Sequence, residues 1–410
     1  MIARFLRDSI ETARNDTPVV LLHGARQTGK STLAHSFGIP YLTLDDAVVL
    51  SSAREDAAGF IAGLQGPVVI DEIQRAPELF LAIKAEVDRH REAGRFLLTG
   101  SANALLIPHL AESLAGRMEI LTLRPFSQGE LAGAREAFVD GLFAKALPEW
   151  KAPSGKASSL APMLLTGGYP PAVERANLDR RHAWFGSYVT TILERDVRDL
   201  SHIEALRALP RLLALIAART ASLLSFAELS RSVGIAQSTL KRYFALLETT
   251  FLVQLVPAWS NNLGKRMVKA PKVYVPDTGL AGYLLGLDEA RLETEPNVRG
   301  SLLETFVAAE ISKQLGWSSR RPRLFHFRQS TGQEVDLVLE EPSGKIAGIE
   351  VKASATVTGH DFSGLRALAE IAGPRFRRGI VLYTGETAVP FGANLHALPL
   401  RSLWAPQPGH

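Results

Sequence analysis

The sequence predicts an α/β protein whose first part is a mostly parallel sheet covered by helices on both faces. Two observations carry this. Short apolar, partly β-branched runs stand at Val19–His23, Tyr41–Leu44, Val68–Ile70, Phe96–Thr99 and Ile120–Leu123. The segments between them are long enough for the crossover helices that parallel pairing requires. A second α/β region is expected from Leu302 onward, with strands at Glu334–Leu339, Ile346–Lys352 and Gly379–Thr384.

Between these regions the pattern is helical. Pro148–Pro162 reads as a linker or surface loop, and Met163–Arg219 as a run of helices. A compact helix-turn-helix pattern follows at Phe226–Glu248. The expected domains are therefore 1–135, 136–219 (a helical lid or linker), 220–280 (a winged helix-turn-helix) and 281–410. A chain of 410 residues suits two to four domains.

Composition narrows the function classes. Hydrophobic residues make up 46% and charged residues 21%, a balance that excludes a mostly disordered chain. The absence of cysteine excludes disulfides, zinc–thiolate sites, iron–sulfur clusters and cysteine nucleophiles. Near the N-terminus Ile2, Phe5, Leu6 and Ile10 have helical spacing, unlike the continuous apolar stretch of a secretory signal. Apolar runs such as Leu212–Ala218 are too short to cross a bilayer. The expectation is a cytoplasmic protein without membrane contact. A net charge of +4 permits nucleic-acid binding without requiring it.

The sharpest signal is Gly24-Ala25-Arg26-Gln27-Thr28-Gly29-Lys30-Ser31, followed by Thr32. It fits the phosphate-loop pattern GxxxxGK[ST] and lies between a strand and a helix-forming segment. Glycines let backbone N–H groups curl round a phosphate, and the helix N-terminus adds partial positive charge. Lys30 is expected on the β- and γ-phosphates of ATP, and Ser31 on Mg²⁺. The strand Pro67–Ile70 ends in two acids, Asp71 and Glu72. Buried carboxylates at a strand end are costly unless they serve a cation. Asp71 is assigned to the Mg²⁺ and Glu72 to the attacking water, as general base.

Two further catalytic candidates follow. Phe96–Thr99 runs into Ser101 and Asn103, which could bond the γ-phosphate or the water; an ordinary strand-end turn would look the same. Arg117 stands just before the strand Ile120–Leu123, where it could reach a neighbouring subunit's nucleotide or simply form a surface ion pair.

In the helix-turn-helix, Leu240, Phe244 and Leu247 are expected inward, with Lys241 and Arg242 outward. Phe251–Val256 and Lys272–Val275 would be wing strands, and Lys265, Arg266, Lys269 and Lys272 a cationic stretch meeting DNA phosphates. A winged helix used for packing or protein contact would show the same pattern. Farther on, Asp336 and the Glu350-Val351-Lys352 triplet stand on two strands joined by the turn Pro342–Lys345, with Glu304 in Leu302–Val307. Asp336 and Glu350 could hold Mg²⁺ and Lys352 could steady water or a scissile phosphate. The arrangement is similar to the D…ExK site of restriction-endonuclease-like nucleases, and would also fit a nuclease-like fold that binds without cleaving.

Taken together, the motifs resemble the AAA+ ATPases, and within them a large prokaryotic family of ATPases. The residues are GARQTGKST (24–32), IDEIQ (70–74), LTGSAN (98–103) and LAGR (114–117). The likeness continues through GGYP (167–170), KVYVPDTGL (272–280), LLETFV (302–307), EVDLV (334–338) and IEVK (349–352). It implies an AAA+ fold, an arginine finger at Arg117 and a homo-oligomeric ring or partial ring, the hexamer among the candidates. DNA is the expected partner, and a protein-directed remodeller or switch the alternative.

Overall fold

In the computed structural model, the structure describes residues 2–101, 114–148, 160–197, 208–262, 264, 266 and 269–405. Five strands form the first sheet: β1 (Val19–His23), β2 (Tyr41–Thr43), β3 (Val68–Asp71), β4 (Phe96–Gly100) and β5 (Met118–Thr122). All pair in parallel, in the order β2-β3-β4-β1-β5. Val19–Leu22 of β1 are fully buried, as an inner parallel strand with both faces covered must be. Crossover helices include Lys30–His35, Ala47–Glu55, Ala57–Gly63 and Leu79–Arg89. Asp46 and Asp56 open two of them, the first carboxylate accepting from the Val48 and Val49 N–H groups and the second from the Gly59 N–H.

The middle of the chain is helical at Leu160–Thr166, Pro170–Val173, Leu178–Thr191 and Leu209–Ala217. The helices Phe226–Val233 and Gln237–Thr249 then flank a left-handed turn at Gly234 (φ 75°), which only glycine adopts cheaply. Leu240, Phe244 and Leu247 are buried and Lys241 and Arg242 exposed. Beside the pair lies an antiparallel sheet of β6 (Ser222–Leu223), β7 (Gln254–Val256) and β8 (Lys272–Tyr274), with β8 in the middle.

The C-terminal sheet has six strands: β9 (Arg323–Arg328), β10 (Glu334–Glu340), β11 (Ile346–Lys352), β12 (Phe376–Tyr383), β13 (Val389–Pro390) and β14 (Leu395–Pro399). Their order is β13-β14-β12-β11-β10-β9; β12 pairs in parallel with β11 and β14, and the other pairs are antiparallel. The helix Pro296–Gln314 packs Leu303, Phe306 and Val307 on one face of this sheet. The helix Ser363–Ala372 packs Leu365 and Leu368 on the other. Beyond β7, Ala258 bridges to His326 of β9 and Trp259 N–H donates to its carbonyl, so the small sheet runs directly into the large one.

One irregularity positions a side chain. Between the pairs Val335↔Phe327 and Val338↔Phe325, the two residues Asp336 and Leu337 of β10 face the single residue His326. Such a bulge re-aims side chains. Asp336 is thereby carried to the side of the helix Pro296–Gln314, where Glu304 and Lys272 lie.

Candidate functional site: the phosphate loop and its surroundings

Three parallel strands converge on one edge of the first sheet. β1 runs into Gly24, whose φ of 156° brings its backbone against β5; a Cβ there would lie 2.2 Å from the Leu123 carbonyl oxygen. Gln27 (φ 63°) and Gly29 (φ 91°) are both left-handed, the kind of turn in which successive N–H groups can form an anion-binding concavity. Lys30 opens the next helix; it is buried and its ammonium donates to the carbonyls of Gly24 (3.0 Å) and Ala25 (2.8 Å). Thr28 closes the turn by donating to Ala25 O at 3.0 Å.

β3 and β4 supply the acids and their partners. The Ser31 hydroxyl donates to Asp71 Oδ1 at 2.9 Å, and Thr99 of β4 donates to the same oxygen. Asp71 is 4% exposed, so its charge stands in a poorly hydrated place. Tyr41 on β2 feels it: burial, then a hydrogen bond to Asp71, holds the Tyr41 hydroxyl above its ordinary range. Glu72 follows with φ 58°, a strained conformation for a non-glycine residue, kept by its N–H donating to Thr99 Oγ1 at 3.2 Å. Gln74 donates to the Glu72 carboxylate and, at 3.2 Å, to Ser101 Oγ. Gly24–Thr32, Ser31, Asp71, Glu72 and Ser101 thus share one edge; Asn103 lies outside the described residues.

Arg117 is placed differently. Its carbonyl accepts from Val19 N–H, so it stands at the start of β1 and β5, away from the loop. Five residues of β1 at ~3.3 Å each separate it from Gly24 by roughly 16 Å. It cannot reach the nucleotide of its own subunit by a side chain. Its guanidinium pairs with Asp88 at 2.5 Å.

Two arginines near the loop carry no motif and were not picked out from the sequence. Arg4 donates to Thr28 O (2.7 Å), Arg124 O (2.5 Å) and Glu130 Oε1 (3.0 Å), clamping the loop to the segment after β5. Arg124 donates to Gln254 of β7 at 3.3 Å, and Gln254 in turn donates to Ser312 at 3.1 Å. His23, the last residue of β1, packs against Phe251 with ring centroids 4.8 Å apart. The glycines of Gly167–Pro170 also acquire a role: Gly168 meets Phe126, and its N–H donates to Asp277 at 2.7 Å.

The cationic wing is largely committed elsewhere, against the sequence expectation. Arg266 forms a two-pronged ion pair with Glu340 (2.6 and 3.0 Å) and packs on Trp259 and Phe325. Lys272 is buried between Glu304 and Asp336. Lys269 is exposed and donates to the Arg328 carbonyl; Lys265 lies outside the described residues. The reason is β8 itself, which sits in the middle of its sheet, not on a free wing.

The D…ExK residues lie side by side, and most of their polar atoms are engaged within the protein. Leu337↔Ile349 pairing sets Asp336 beside Glu350. Asp336 Oδ1 is taken by Lys272 and Oδ2 by the Val351 N–H (2.9 Å); Lys352 pairs with Glu350 at 3.0 Å. Burial first, then the Asp336 charge, pushes both Glu304 and Glu350 up to about 8. Among the described residues no three acidic or histidine side chains are arranged to hold a metal ion.

This sheet, loop and acidic strand end define a phosphate-loop α/β protein of ATPase-like type, with added helical and mixed-sheet parts. Residues 16–132 match the model of an AAA domain, 158–291 a domain of unknown function (DUF8612) and 299–403 another (DUF4143). The uncharacterized protein Rv2008c of Mycobacterium tuberculosis is 34% identical over 394 residues, which are 95% of this chain and 82% of that protein. Uncharacterized protein Mb2031c of Mycobacterium bovis aligns with the same figures. The chain belongs to the family of these two proteins. Among solved structures, the Walker-type ATPase PABY2304 of Pyrococcus abyssi aligns over 69% of this chain and 96% of its own, at 14% identity and TM-score 0.42. A DNA replication initiation factor aligns at 10% identity and TM-score 0.26, covering 76% of this chain and 91% of its own. No helix among the described residues is long and apolar enough to cross a membrane.

Proposed function

We propose that this protein binds ATP with Mg²⁺ at Gly24–Thr32 and hydrolyses it, as the driven or switched part of a homo-oligomer. One observation carries the reading: the Ser31 hydroxyl and the Asp71 carboxylate meet at 2.9 Å beside the phosphate loop, with Glu72 next in the chain. These oxygens suit Mg²⁺, a hard cation that uses one or two protein groups and leaves the rest to phosphate and water. Ser31 and Asp71 would hold it, and its charge would offset that developing on the β- and γ-phosphates. Lys30 supports the same phosphates as a point charge. Glu72 accepts a proton from the attacking water, and Ser101 keeps Gln74 and through it Glu72 in place.

Glu72→Gln tests the hydrolytic half. It keeps the shape of the site but not the base, so ATP binding stays and turnover falls by about 10²–10⁴-fold. Wild-type turnover in this variant would remove Glu72 from the mechanism.

The partner we favour is DNA, met by the exposed Lys241 and Arg242 on the second helix of Phe226–Glu248. Each phosphate that a side chain ceases to neutralise lowers the slope of log affinity against log salt by about 0.9. Lys241→Glu with Arg242→Glu should weaken duplex binding and make that slope shallower. Equal affinity and slope for the double variant would sink the DNA assignment. A second reading has its own support: Arg266 and Lys272 are engaged inside the protein, leaving a thinner basic face than DNA readers present. On that reading the partner is protein, and ATPase turnover is indifferent to single-stranded, duplex and branched DNA.

A further inference from the structure

A D…ExK cluster in a nuclease holds a divalent metal, but here the residues do not fit one. The position between the acids is filled by a side chain from another part of the fold. Lys272 Nζ lies 2.9 Å from Glu304 Oε1 and 2.9 Å from Asp336 Oδ1, with the lysine 4% exposed. Tyr274, two residues along β8 and so on the same face, donates to Glu304 Oε1 at 2.7 Å. With Val351 N–H on its other oxygen, Asp336 has both oxygens engaged. We infer that Lys272 is the resident cation of the Glu304–Asp336 pair, closing the nuclease-like cluster to divalent metal and locking the small β6–β8–β7 sheet to the C-terminal sheet.

The electrostatics agree with a lysine better than with a metal. Burial opposes the charged ammonium, but Asp336 and Glu304 outweigh it and hold the proton on Lys272. Glu350 completes the group: Oε1 is held by Lys352, while Oε2 is buried without a hydrogen-bond partner. Two ammonium groups thus stand against three carboxylates, and burial beside the Asp336 charge makes both Glu304 and Glu350 hold a proton more readily than usual. A metal would have to displace a tethered ligand, whose effective concentration is set by β8 and not by the solution.

The test uses the full chain carrying Lys30→Ala without nucleotide, and reads only the metal response that depends on Asp336, since Ser31 and Asp71 remain at the phosphate loop. Thermal unfolding is followed with Mn²⁺ titrated alone, and free Mn²⁺ is counted by electron paramagnetic resonance. With Lys272 present, no Mn²⁺ response that depends on Asp336 is expected. Lys272→Met should unfold several degrees earlier, because two buried carboxylates lose their counter-charge. Mn²⁺ should then restore part of the loss. Adding Asp336→Asn should abolish the Mn²⁺ response and by itself recover stability. If Lys272→Met alone fails to fold, Lys272→Met with Asp336→Asn should fold. Three outcomes overturn the inference. One is an Asp336-dependent Mn²⁺ response in the chain that keeps Lys272. Another is equal destabilisation of the single and double variants, which would assign Lys272 to packing. The last is failure of both variants to fold.

Discussion

Lys30→Ala should cost ATP binding roughly 10²-fold or more, since charge-assisted hydrogen bonds to two phosphates vanish together. The size of the effect follows from where the ammonium sits. It is 6% exposed and already surrounded by the Gly24 and Ala25 carbonyls, so the loop is shaped around a cation at that place. Calorimetric titration of full-length protein with ATP and Mg²⁺ reads the loss. Circular dichroism of the same variant checks that it is folded. Near-normal ATP affinity in a folded variant would mean the nucleotide binds elsewhere.

Arg117→Ala should lower turnover by about 10³-fold or more with ATP affinity little changed, the span seen for arginine fingers. Arg117 stands at the far end of β1 from the phosphate loop, so any catalytic part it has is played on a neighbouring subunit. Its pairing with Asp88 would have to open in the assembly. The forecast sharpens on mixing. Arg117→Ala and Glu72→Gln subunits should each be inactive, yet in a mixed homo-oligomer some interfaces would join an intact Glu72 to an intact Arg117. Turnover should rise with the mixing ratio and fall again. A flat profile, with mixed assemblies confirmed by mass, rules out the trans role expected of Arg117.

The parts legible in the sequence were those whose chemistry is contiguous. Gly24–Ser31 announces itself because eight adjacent residues must bend round one phosphate. Asp71 and Glu72 were readable from an apolar strand ending in acids, where burial makes charge meaningful. What escaped depends on residues far apart in the chain. Lys272 and Arg266 read as a basic run facing solvent, since a run of cations usually does. Their partners lie on β10 and on the helix Pro296–Gln314, far along the chain. The bulge at Asp336–Leu337 was equally hidden, because EVDLVLE alternates well enough to look like a regular strand. Arg4 and Arg124 had no motif to mark them; only the close approach of Gly24 to Leu123 shows what they brace.

The Lys272 contact bears on how the chain can be taken apart. Boundaries drawn from sequence fall at 280/281, and the matched family regions break between 291 and 299. Both cuts leave the lysine on one fragment and Glu304 and Asp336 on the other. A C-terminal fragment begun there would carry two buried acids stripped of the ammonium that bridges them, while its N-terminal counterpart would carry a buried ammonium with nothing to neutralise it. Modularity in this protein is therefore a property of its sequence segments and not of its charges. The smallest piece that keeps this group of charges together runs from β8 through β11.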